Sequence, residues 1–278
     1  MVDAVRVLLV TGGHPFEKEP FFEIFDANTK ISWQQLPHPE AQEMFGPEAL
    51  TEFDAVVFYD MPGIEFTRSD PPARFTDPEP GYVKGFEAVL EFGIGLVFLH
   101  HAIAGWPTWS RYADIVGGRF HYQPAELAGL TYPDSGYRHE VTHTVELLDP
   151  DHPVSAGLPI TFEITDEVYL FPVFEDSVVP LMRSRHSFSD KEFFSADLAI
   201  RGRRDCSEGW SHPPGSDLVA WVKNAGNSPV TYIQFGDGPD TYADPNYQRL
   251  VANAISWVAS DQAHSWARDR QLSPEEPS

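Results

Sequence analysis

The chain predicts an α/β fold: a doubly wound parallel sheet covered on both faces, with an antiparallel insertion. Three observations carry that expectation. Short, continuously apolar runs at residues 5–10, 53–60 and 95–99 read as strands buried on both faces. Helical patterns separate them, which is the alternation of a parallel sheet. From about Tyr122 the texture changes to alternation of apolar and polar residues, clearest at 137–147, as in half-exposed antiparallel strands.

Each element follows from its own residues. The first run ends in Thr11-Gly-Gly-His14, a strand and its loop. Residues 20–25 read as a short helix and 31–36 as a second strand. Residues 53–60 form a buried strand ending on Asp60, and 61–80, rich in Pro, Asp and Arg, read as a long surface loop. Residues 82–92 read as a helix, with Tyr82, Phe86, Val89 and Leu90 at helical spacing and Gly93 near its end. The strand at 95–99 stops on His100 and His101, followed by a small-residue turn with Ala102, Ala104 and Gly105. In 137–147 the residues His139, Val141, His143, Val145 and Leu147 share one face. Strands are expected at 162–171, 177–182, 218–223 and 230–235, the last ending in Gly236-Asp-Gly238. A final helix has Asp244 as N-cap and Pro245 at its first position, with Tyr247, Leu250, Val251, Ala254, Ile255 and Val258 on one face. A single domain over residues 1–260 results, its antiparallel-rich insertion at 122–221. Residues 261–278 read as a polar, frayed tail.

Composition excludes several classes. Lys plus Arg total 19 against 42 Asp plus Glu, a net charge of −23, which repels nucleic-acid phosphates and anionic membranes. No apolar stretch approaches the roughly twenty residues of a membrane helix. With the first strand starting at Val5, no leader is expected and the cytoplasm is the expected location. The single cysteine, Cys206, gives neither a disulfide framework nor a thiolate zinc cluster, and its polar setting makes it a poor nucleophile. No phosphate-cradling glycine loop occurs, so no nucleotide cofactor is predicted.

In open α/β sheets ligands bind at the carboxyl ends of parallel strands, where strand-to-helix elbows carry nucleophiles. His100 and His101 sit at such an elbow, and imidazole serves as acid, base or metal ligand near neutral pH. His14, Asp60, Gln234 and Asp237 also follow apolar strands and are expected to line the same cleft. The carboxylates Asp166 and Glu167 are adjacent on a strand, so only one of them is expected to face it. His139 and His143, at i and i+4 on an extended strand, lie roughly 13 Å apart. One ion with bonds of about 2.0–2.1 Å cannot bridge that span. A divalent metal held by residues such as His14, His100 and Asp60 stays open, and no metal ligand is assigned. The aromatics Trp106, Trp109, Tyr112, Phe120 and Tyr122 suit a sugar's C–H faces, a core wall or a homo-oligomer interface equally well.

The landmarks Val7-Leu-Leu-Val-Thr-Gly-Gly-His14, Gly95-Leu-Val-Phe-Leu-His-His-Ala102, Asp151-His-Pro153, Gly157-Leu-Pro159, Phe162-Glu-Ile-Thr-Asp-Glu167 with Tyr169, and Gly236-Asp-Gly238 occur in this order. Residues 5–259 thereby resemble the trehalose-utilisation (ThuA-like) family of the class I glutamine amidotransferase-like, flavodoxin-like superfamily. The resemblance implies that fold, and a carbohydrate ligand such as an oxidised (3-keto) glycoside or related disaccharide derivative. His100 stands where amidotransferases of the superfamily keep a cysteine. Without a thiol there, the thioester of glutaminase chemistry cannot form. Asp237 stands where many relatives carry histidine. The expected activity is cofactor-free acid/base chemistry. His100 or His101 is acid or base, with His100 the leading base, and Asp166 or Glu167 is the second proton-transfer group. His14, Asp60, Trp106, Tyr169, Gln234 and Asp237 would hold the sugar. The alternatives are a non-catalytic sugar-binding protein and a metal-dependent hydrolase.

Overall fold

A computed structural model describes residues 4–67, 69–127 and 129–272. The chain begins with β1 (Val5–Gly12), α1 (Lys18–Asp26), β2 (Ile31–Pro37), the short helices α2 (Glu40–Met44) and α3 (Pro47–Leu50), and β3 (Ala55–Asp60). A hairpin of β4 (Ile64–Phe66) and β5 (Ala73–Phe75) precedes α4 (Pro80–Phe92) and β6 (Gly95–Leu99). After a tight turn at His100–Ala104 come α5 (Ser110–Val116) and a second hairpin, β7 (Ala125–Leu127) with β8 (Leu130–Tyr132). β9 (Gly136–Leu147), β10 (Thr161–Leu170), β11 (Val179–Ser184), β12 (Phe194–Ser195) and α6 (Ala196–Ile200) follow. The chain closes with β13 (Leu218–Ala225), β14 (Ser228–Ile233), α7 (Pro239–Tyr242), α8 (Pro245–Val258) and α9 (Asp261–Leu272).

Ten strands form one sheet, in the order β10-β9-β11-β13-β14-β6-β3-β1-β2, with β12 beside β9. The half from β14 to β2 is parallel. The half from β10 to β13 is antiparallel, and its pairing with β14 extends to Ala225, four residues past the expected boundary. Alternate residues of each parallel strand enter separate cores. Val7, Leu9, Val57, Tyr59, Val97 and Leu99 pack with Phe21 and Phe25 of α1 and Leu250, Val251 and Ile255 of α8. Leu8, Val10, Val56, Phe58, Leu96 and Phe98 pack with Tyr82, Phe86 and Val89 of α4 and Tyr112, Ile115 and Val116 of α5. Helices thus cover both faces, as the continuously apolar strands require. Asp244 caps α8 as expected, accepting the N–H groups of Asn246 at 2.7 Å and Tyr247 at 3.1 Å.

Two expectations are corrected. Residues 261–272 are not a frayed tail: they form α9, which buries Ala263 and Ala267 and sets Trp266 edge-on to Trp257 at 5.4 Å. Its apolar stripe is only one residue wide per turn, too thin to stand out among the polar residues. The last residues of the expected tail, 273–278, lie outside the described residues. The 61–80 segment is not purely a surface loop either, because it carries a hairpin and its Met61 and Ala73 are buried. Among the described residues no helix is long and apolar enough to cross a membrane.

Candidate functional site

β6 ends on Leu99, and His100 then takes φ 48, in the left-handed region that side-chain-bearing residues seldom adopt. Such strain, of order 1–3 kcal/mol, persists only where the surroundings over-determine it. Here they do. The Nδ1–H of His100 donates to the Gln234 carbonyl at 2.7 Å, and the Tyr232 hydroxyl donates to the His100 carbonyl at 3.1 Å. The other ring nitrogen, Nε2, faces the Tyr169 hydroxyl at 2.7 Å, Glu167 Oε2 at 3.4 Å and Asp237 Oδ1 at 3.5 Å. The Tyr169 ring stacks on the imidazole with centroids 4.8 Å apart.

Both carboxylates are held from behind. Asp237 rides on the turn after β14. There Gly236 has φ 129, and a Cβ on it would come within 2.6 Å of the Tyr247 hydroxyl, so glycine is required. The buried Asp166 carboxylate accepts the N–H groups of Gly236 at 2.6 Å, Asp237 at 3.1 Å and Glu167 at 2.8 Å. It braces the turn and keeps no free face toward the cleft. Burial pushes its pKa up to about 6, against the pull of His100 and of those N–H donors. Glu167 is buried, and its Oε1 meets Nδ1 of the exposed His139 at 3.1 Å. Gln234 accepts the Tyr169 N–H through Oε1 at 2.9 Å, which fixes the tyrosine's height above the sheet.

Of Asp166 and Glu167, only Glu167 turns its carboxylate to His100, while Asp166 spends its oxygens on the N–H groups of the turn. Pairing of β10 with β9 shifts register between Asp166 and Val168, where Glu140 takes φ 52. Two residues of β9, His139 and Glu140, oppose Glu167 of β10, and this bulge brings the His139 ring onto the Glu167 carboxylate.

The electrostatics separate the two elbow histidines. Burial disfavours charge on His100, but Asp237 and Glu167 beside Nε2 outweigh it and hold its pKa well above the usual 6.5. Of the two roles open to His100, acid or base, this setting favours giving a proton. Burial, with His14 and His100 nearby, pushes His101 well below 6.5. Its ring lies 4.3 Å from Tyr59 and 4.6 Å from His14, and neither nitrogen has a hydrogen-bond partner. Burial and then His100 lower His14 as well. Burial tends to raise Asp237, but the hydrogen bond and charge of His100 prevail and lower it.

Asp60 and Trp106 lie elsewhere. Tyr59 of β3 enters the core shared with His101, so the next residue, Asp60, points through the opposite face. There it meets His38 Nε2 at 2.9 Å, both side chains buried. Trp106 packs on His38 at 5.8 Å and on Tyr82 at 5.5 Å, sealing the pair. Of the other aromatics, Trp109 and Tyr112 wall that same core, while Phe120 packs on Tyr169 at 4.9 Å and Tyr122 on Phe120 at 5.1 Å. His143 bonds Ser184 at 2.6 Å and shares no site with His139. Cys206 contacts Arg203 at 3.3 Å on a partly exposed loop.

Sequence reasoning missed His38 and the role of His139. His38 directly follows the second strand, the signal used for His14 and Asp60. The contact of His139 with Glu167 depends on a bulge that leaves no mark in the residue pattern.

The family model for ThuA, described as trehalose utilisation, matches residues 6–258. No curated protein sequence matches the chain. Among solved structures, a ThuA-like protein from Parabacteroides merdae superposes with a TM-score of 0.63 at 16% identity, covering 93% of this chain and 91% of that one. A ThuA-like protein from Bacteroides uniformis gives 0.62 at 17% identity, with 94% of each chain covered. The protein STM3548 of Salmonella typhimurium, described as cytoplasmic, gives 0.57 at 11% identity, covering 91% of this chain and 99% of its own. These likenesses concern the fold, and the match over residues 6–258 carries the assignment: the chain belongs to the ThuA, trehalose-utilisation family.

Proposed function

We propose that the chain is an enzyme that moves protons on a carbohydrate, an oxidised glycoside or related disaccharide derivative, at the corner formed by His100, Tyr169, Glu167 and Asp237. The observation that carries this reading is the convergence of one imidazole nitrogen, one phenol and two carboxylates on a single point at the sheet's carboxyl edge. Family membership supports a role in sugar utilisation. The chemistry follows from the groups present. A carbonyl on the sugar acidifies the neighbouring C–H. A carboxylate, with Asp237 the more exposed of the two, takes that proton, and the bonding pair becomes a carbon–carbon double bond. The carbonyl oxygen receives a proton from the Tyr169–His100 pair. Reversal at the neighbouring carbon isomerises the sugar, and loss of a leaving group instead eliminates it. His14 stands beside the corner to orient hydroxyls, while Gln234 and Asp166 act through the groups they position. Glutaminase chemistry finds no thiol at the elbow, since Cys206 lies on a separate loop.

Turnover of a 3-keto-glucoside by wild type and His100→Gln, with circular dichroism to establish folding, tests the reading. The folded variant should lose about a hundredfold or more in kcat, the scale of removed acid/base catalysis, with a much smaller change in affinity. Full turnover by the variant would overturn it. Binding without turnover by wild type would overturn it in favour of a non-catalytic sugar-binding protein.

A further inference from the structure

We propose that His100 Nε2, Glu167 and Asp237 form a binding site for one divalent transition-metal ion. The inference rests on the reading that this corner is the working site, and adds the ligand it would hold beside the sugar. Distance is the first argument. Glu167 and Asp237 stand 3.4 and 3.5 Å from Nε2. Charge-assisted hydrogen bonds between such groups close to about 2.7–2.9 Å. Two ligands of a tetrahedral ion, each bonded at about 2.1 Å, are instead separated by about 3.4 Å. One donor atom from each of the three side chains lies within 4.8 Å of the others.

The second argument is how the donors are held. A metal-bound histidine characteristically gives its other N–H to a carbonyl or carboxylate, which fixes the tautomer and aims the lone pair. His100 does this toward the Gln234 carbonyl at 2.7 Å. Glu167 is fixed through Oε1 by His139, leaving Oε2 toward the corner. Asp237 is fixed through its backbone N–H by Asp166. Independently, His14 packs its ring on His101 at 4.6 Å, and its buried Nδ1 has no hydrogen-bond partner. One nitrogen and two carboxylate donors suit zinc, cobalt, manganese or iron(II) over magnesium or calcium. Coordination through one oxygen leaves the second oxygen of Asp237 able to accept a proton. With the ion on Nε2, His100 has no proton to give: the ion would polarise the sugar's carbonyl, and the Tyr169 hydroxyl alone would supply the proton to its oxygen.

The test needs no turnover. The full chain, stripped with a chelator and dialysed, is titrated with Co²⁺ by visible absorption and with Zn²⁺ by calorimetry. One ion per chain should bind, with cobalt d–d bands of a low-coordinate site. Glu167→Gln and Asp237→Asn should each weaken binding by more than the roughly 10–100-fold typical of an outer-shell change. His264→Gln, on α9, should leave it unchanged. Three results would overturn the proposal: no stoichiometric ion in wild type, binding only of Mg²⁺ or Ca²⁺, or full binding in the Glu167→Gln/Asp237→Asn double variant. Sugar binding to the stripped chain is measured separately, so failure of the metal site and failure of the sugar reading remain distinct.

Discussion

Two histidine–carboxylate groups stand at the carboxyl edge of the same sheet, one on each face, and they are built differently. His38 and Asp60 close to 2.9 Å, with side-chain exposures of 7% and 1%, beneath Tyr82 and Trp106. His100 stands 3.4 and 3.5 Å from two acids, and 38% of the Asp237 side chain meets solvent. The residue types are the same, so chemistry alone does not tell a fastener from a site. Separation and access do. The sealed pair uses its polar contact on itself and ties the segment after β2 to the end of β3. The other corner keeps both acids short of a full hydrogen bond to His100 and leaves the Asp237 carboxylate partly open to solvent, the condition for binding something else.

The comparison breaks most visibly if the sealed pair proves functional. Asp60→Ala should cost about 3–5 kcal/mol in urea unfolding, the scale for removing one partner of a buried pair, while the affinity of the folded fraction for a 3-keto-glucoside holds within twofold. Loss of sugar affinity without loss of stability would move the site to His38. A smaller effect sharpens the contrast between charged and neutral histidines. Burial lowers His121 and His143 to about 4 in the fold. In the unfolded chain they titrate near 6.5. Between those values the unfolded chain binds more protons, so their contribution to stability is present above about pH 6.5 and lost as pH falls toward 4. Asp166, raised to about 6, and Asp60, also raised by burial, work in the opposite direction over part of that window, while His14 and His101, lowered by burial, add to the histidines' effect. The urea midpoint should therefore fall on acidification from pH 7 to 4.5, and less so in a His121→Gln/His143→Gln variant relative to its own value at pH 7. A wild-type midpoint independent of pH would contradict this. The smallest effect belongs to Cys206, which neither core contains: Cys206→Ser should shift stability by less than about 0.5 kcal/mol and leave turnover intact. Loss of turnover in that variant would bring a thiol back into the account.

The parallel half was legible because its strands are apolar on both faces and its helices carry their own signals, such as Asp244 and Pro245 opening α8. The same uniformity hid the direction of Asp60. When every residue of β3 is buried, periodicity does not say which face an individual side chain takes, and only the alternation with Tyr59 decides it. His100 was legible from position, as the residue on which a buried strand stops. Glu167 and His139 were only half legible, since their meeting depends on the irregularity at Glu140, an ordinary residue in an uncommon conformation. α9 escaped notice because two alanines and a tryptophan suffice to seat it.

The central claim, that the open corner is where this chain does its work, is tested most directly by a crystal structure of the full chain soaked with a 3-keto-glucoside. The account predicts the sugar against Tyr169 and Asp237, its carbonyl oxygen within hydrogen-bonding distance of the Tyr169 hydroxyl or His100 Nε2. A sugar seated in the groove of Tyr132, Phe171 and His212, or beneath Trp106 beside His38 and Asp60, with the His100 corner left to solvent, would contradict it.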